Sequence, residues 1–108
     1  MTKIVFYRIK DNFKGFEVKG HTGFSEEGKD ILCAAISTAT QMVVYAIKEK
    51  LNLKPELEIK DGYLKIILND EDFLKSEVCI LMDTCFDVLK QISKNKNKYI
   101  KLEVKENV

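Results

Sequence analysis

His21, the only histidine in the chain, and Cys33, twelve residues downstream, are the pair from which covalent chemistry could be built. A cysteine attacks as its thiolate, and an imidazole beside it takes the proton and holds the resulting ion pair. Cys33 falls at the start of a long neutral run that reads as a helix. Unpaired backbone N–H groups at a helix N-terminus stabilise negative charge on sulfur, and they are the expected donors to a developing oxyanion. A strand ending near His21 and a helix starting near Cys33 come together when a loop of eleven residues joins them. The plain alternative is a small core cysteine, followed by Ala34, Ala35 and Ile36, with His21 making a single backbone hydrogen bond.

Asp30 and Ser37 stand three residues before and four after Cys33, so the three share one side of the helix. Asp30 either caps the helix through the Cys33 N–H or orients His21, the third role of a triad. Ser37 either bonds a carbonyl one turn back or faces the sulfur, where it would help position substrate. Cys79 and Cys85 lie in a second amphipathic segment and read as core. Three cysteines without a CxxC pair fit free thiols in a cytoplasmic protein. Together with one histidine they are a poor zinc set, and no metal or other cofactor is expected.

The elements that must position these residues follow from periodicity. Lys3–Lys10 and Phe13–Gly20 read as strands joined by turn residues Asp11 and Asn12. A helix is expected from Asp30 to Leu51, with Leu32, Ile36, Ala39, Val43 and Ile47 recurring at helical spacing. Leu57–Lys60 and Tyr63–Asn69 flank Asp61-Gly62, a tight-hairpin signal. A second helix is expected from Asp70 to Lys94, its acidic start suiting the helix dipole, with the stripe Leu74, Val78, Leu81, Cys85, Val88 and Ile92. Tyr99–Lys105 alternates as a final strand. The order β-β-α-β-β-α-β implies one small α+β domain over residues 1–108, with a largely antiparallel sheet and two helices packed on it.

Composition removes other classes of function. A chain of 108 residues with 45% hydrophobic and 32% charged residues folds without staples. A net charge of +1 is too small for a general nucleic-acid or membrane-surface binder. Arg8 and Lys10 interrupt the N-terminal apolar run before a signal core forms. The neutral run Ile31–Ile47 carries Ser37, Thr38, Thr40 and Gln41 at its centre, unlike a membrane span. Lys94–Lys98 reads as a connection, with an RNA contact as the alternative. A helix neutral on every face before Lys48 needs cover, either from a second subunit or from within the chain.

The string Gly20-His21, then Gly28, Asp30-Ile31-Leu32-Cys33-Ala34-Ala35-Ile36-Ser37, resembles the ribosomal-processing cysteine protease family Prp, also called YsxB-like. The likeness spans nearly the whole chain in length and element order. It implies a cytoplasmic, homodimeric endopeptidase that removes the N-terminal extension from the precursor of large-subunit ribosomal protein number twenty-seven. It also implies His21 as base and Cys33 as nucleophile, with Gly20, Asp30 and Ser37 in support. A non-catalytic ribosome-associated binding module is the competing reading. An RNA-binding factor is disfavoured by the near-neutral charge and the lack of an aromatic-basic strand motif.

Thr22–Lys29 is expected to form a mobile lid over the pair. Gly23 and Gly28 supply backbone freedom, and Phe24 either closes over an apolar substrate side chain or anchors the loop to the sheet.

Overall fold

A computed structural model describes residues 1–23, 25 and 30–106. The apolar run Ile4–Tyr7 builds β1 (Thr2–Ile9), and Phe16 and Val18 alternating with Glu17 and Lys19 build β2 (Asn12–Lys19); the two pair antiparallel with Ile4 opposite Val18 and Phe6 opposite Phe16. Their turn is Lys10-Asp11, one residue earlier than expected, and Lys10 takes the left-handed conformation that the turn requires. Asp61-Gly62 closes the second hairpin, β3 (Glu56–Lys60) with β4 (Tyr63–Ile67), and β4 pairs with β2. The fifth strand, β5 (Ile100–Glu106), runs parallel beside β1. Strand order is therefore β3-β4-β2-β1-β5, a largely antiparallel sheet with one parallel pairing.

Both helices cover one face of this sheet. The first, α1 (Ile31–Tyr45), runs on as a wider π-helical turn over Ala46–Lys50, marked by the Leu51 N–H bonding Ala46 O at 2.9 Å. Ile4, Phe6, Phe16, Leu64 and Ile66 from the sheet share one core with Leu32, Ile36, Val43 and Ile47. Each such side chain, fully buried, contributes roughly 1.5–3 kcal/mol. Phe6 anchors an aromatic cluster, 5.1 Å from Phe13 and Phe16 and 5.2 Å from Phe86 between ring centres.

The second helix, α2 (Ser76–Ser93), starts six residues later than its acidic prelude suggested. Residues 70–75 form turns instead, with Asn69 Oδ1 accepting the Asp72 N–H at 2.9 Å. Its buried stripe is Val78, Met82, Cys85 and Leu89, whereas Leu74 and Val88 are exposed. Both stripes have helical spacing, and docking on the sheet selects between them. Cys85 is core as expected, but Cys79 is half-buried, with its thiol on Asn12 Oδ1 and Phe73 O.

Ile31–Lys50 is long and apolar enough to cross a bilayer by length and composition. Its inward face joins the core, and its outward face leaves Ile31 67%, Met42 68% and Tyr45 60% exposed. Cover from within the chain therefore does not account for the neutrality of that face.

Candidate active site

The site sits where the end of β2 meets the start of α1, with the β3–β4 hairpin as its far wall. Gly20 leaves β2 with φ +91, and a Cβ there would lie 2.8 Å from the Met1 carbonyl oxygen. Only glycine allows this close passage. Its N–H bonds Gly62 O at 2.8 Å, and its carbonyl accepts from Thr2 Oγ1 at 3.1 Å. The strand end is thus pinned from both sides, and the chain turns into His21 from a fixed point.

Asp30 is the N-cap of α1. Its Oδ1 accepts the Leu32 and Cys33 N–H groups at 3.0 Å each, and its Oδ2 accepts the Thr22 hydroxyl. Burial pushes this carboxyl upward. The Thr22 hydroxyl, the N–H and thiol of Cys33 and the Leu32 N–H together outweigh burial and hold it at about 2. Capping is the role the geometry gives Asp30, and its oxygens are directed to Thr22 and the helix start rather than to His21. The Ala34 N–H is likewise committed, to Asp30 O at 3.1 Å. The N–H groups of Leu32, Cys33 and Ala34 therefore already have acceptors within this helix start.

Cys33 is partly exposed, in the first turn of α1. Its sulfur accepts the Thr22 N–H at 3.2 Å, and its thiol lies 3.7 Å from Thr22 Oγ1. Thr22 itself is buried, so it belongs to the fixed framework and not to a lid. Sequence reasoning placed it only at the start of the lid, because a threonine in a polar loop carries no signal of its own.

His21 is exposed, and its ring packs over the Gly62 turn. Among the described residues no hydrogen bond joins it to Cys33. The two nevertheless line the same cleft of about 550 Å³, together with Gly20, Ser37, Ile59 and Tyr63. Ser37 accepts from Gln41 Nε2 at 2.6 Å, and the bond to a preceding carbonyl is made one turn later, by Thr40 to Ile36 O at 2.9 Å. Tyr63 donates to Glu17 at 2.6 Å; that bond, reinforced by burial, pushes its phenol up to about 12 and keeps it neutral. Of the expected lid, Gly23 has φ +74 with open space around it, while Phe24 and Gly28 lie outside the described residues. Among the described residues no group of three or more metal ligands occurs.

The Streptococcus mutans protein SMU.848 superposes with a TM-score of 0.86 at 26% identity, over 99% of this chain and 96% of that one. The Staphylococcus aureus essential ribosomal processing protease Prp, bound to a covalently linked product peptide, gives 0.87 at 24% identity, over 97% of this chain and all of that one. In complex with a substrate peptide the same protease gives 0.79, also at 24%. These likenesses establish the fold. No curated protein matches the chain. The sequence pattern of the family described as cysteine protease Prp matches residues 1–101, and the chain belongs to that family.

Proposed function

We propose that the protein is a cytoplasmic cysteine endopeptidase that removes the N-terminal extension from the precursor of large-subunit ribosomal protein number twenty-seven. The observation that carries this reading is the Cys33 sulfur, at the capped start of α1 with an N–H donor 3.2 Å away, in one cleft with the chain's single imidazole. Family membership and the ribosomal processing role of the S. aureus protease support it.

In the reaction His21 takes the Cys33 thiol proton, and the sulfur bonds to the scissile carbonyl carbon. The C–N bond then breaks, and the His21 imidazolium gives its proton to the departing amine. Water attacks the thioester, its proton passes through His21, and the C–S bond breaks to return the cysteine. Substrate binding swings the exposed His21 ring from Gly62 toward the sulfur, so assembly of the pair is part of recognition. The exposed Ile31, Met42 and Tyr45 support a homodimer through the outer face of α1.

Incubation with the precursor protein tests this. Wild type shortens the precursor by its extension, and Cys33→Ala and His21→Ala leave it intact. Binding without cleavage by wild type would instead favour a ribosome-associated binding module.

A further inference from the structure

We propose that Thr22 is a positioning residue for Cys33: its hydroxyl, moored on the Asp30 carboxylate, aims the Thr22 backbone N–H at the sulfur. This rests on the reading of Cys33 as the nucleophile.

Thr22 is 1% exposed, and a buried hydroxyl must be paired to be tolerated. It donates to Asp30 Oδ2, while Oδ1 of the same carboxylate holds the N–H groups of Leu32 and Cys33 at 3.0 Å. One carboxylate therefore fixes the loop and the first helical turn relative to each other. The sulfur then meets two groups of Thr22, the N–H at 3.2 Å and Oγ1 at 3.7 Å, beside the Asp30 carboxylate that the thiol also helps to hold low. The shorter contact is the stronger, and it favours the thiolate, which accepts an N–H better than a thiol does. Because the hydroxyl proton is committed to Asp30, Oγ1 presents lone pairs to the sulfur. It receives a hydrogen bond from the neutral thiol and does not donate to the thiolate, which therefore stays nucleophilic.

Valine is close to isosteric with threonine. Thr22→Val keeps the methyl group and the backbone N–H but removes the mooring; Thr22→Ser keeps the mooring and drops the methyl. The probe is a synthetic peptide spanning the precursor's N-terminal extension, for kcat and KM. Thr22→Val lowers kcat about tenfold or more with KM within about twofold. Thr22→Ser stays within about twofold of wild type in both measurements. A Thr22→Val protein equal to wild type, or a Thr22→Ser protein as impaired as Thr22→Val, overturns the proposal. If Thr22→Val fails to fold, Thr22→Ala replaces it; the same loss of kcat is expected, and a kcat within about twofold of wild type overturns the proposal. Cleavage by Cys33→Ala would instead defeat the nucleophile assignment itself, whatever Thr22 does.

Discussion

The imidazole of His21 rests against Gly62, and the missing side chain of that glycine makes the room: a Cβ on Gly62 would stand 3.2 Å from Nε2. Gly62 has φ +68 in the Asp61-Gly62 turn, so alanine there meets both backbone strain and the ring. Strain costs about 1–2 kcal/mol, whereas the ring, at the end of a flexible side chain, yields. Gly62→Ala is expected to unfold at a lower temperature and to show altered kcat on the precursor peptide. A melt paired with kinetics separates the two effects.

The three thiols are expected to react in a fixed order. Burial pushes Cys85 up to about 12, and burial, then the nearby Asp83, raise Cys79. Cys33 is open to the cleft. Under native conditions iodoacetamide should modify Cys33 first and Cys85 last, as peptide mapping by mass spectrometry would read. Equal labelling of all three would contradict this site.

Asp30 ties stability to acidity. Its folded-state value of about 2 lies below the ordinary 3.8, so its contribution is complete above 3.8 and is lost as pH falls toward 2. Asp30→Ala should lower stability by about 1–2 kcal/mol at neutral pH through the lost cap. It should also flatten the acid limb of denaturant unfolding relative to wild type. Parallel limbs in the two proteins would rule out this linkage.

The outer face of α1 should govern association. Replacing Met42 and Tyr45 with glutamate puts charge on an exposed apolar surface without touching the core. Sedimentation equilibrium should find a dimer for wild type and a monomer for the double variant. A wild-type monomer would sink the assignment of this face.

The strands and both hairpins were legible because alternation and the Asp61-Gly62 turn are local signals. The pairing of β1 with β5 was not, since no short pattern names a partner so distant in sequence. In α2 the series Val78-Leu81-Cys85-Val88 and Val78-Met82-Cys85-Leu89 are both helical, and only the sheet beneath decides between them. Cys33, His21 and Asp30 stood out by chemical type. Thr22 did not, because its importance comes from burial and from two contacts to the sulfur that exist only once the chain has folded.

The placement of β5 has a consequence for when the protein becomes competent during its synthesis. β1 lies between β2, its neighbour in sequence, and a strand that arrives much later: the Arg8–Glu106 pair joins residues 98 apart. Thr2, whose hydroxyl donates to the carbonyl of Gly20, also donates its N–H to Tyr99 O at 2.8 Å. A nascent chain that has already exposed His21 and Cys33 outside the ribosome still lacks the support behind Gly20. Long-range pairing of this kind forms late. The support behind Gly20 is thereby incomplete until β5 has been made, and a stalled fragment carries His21 and Cys33 without it.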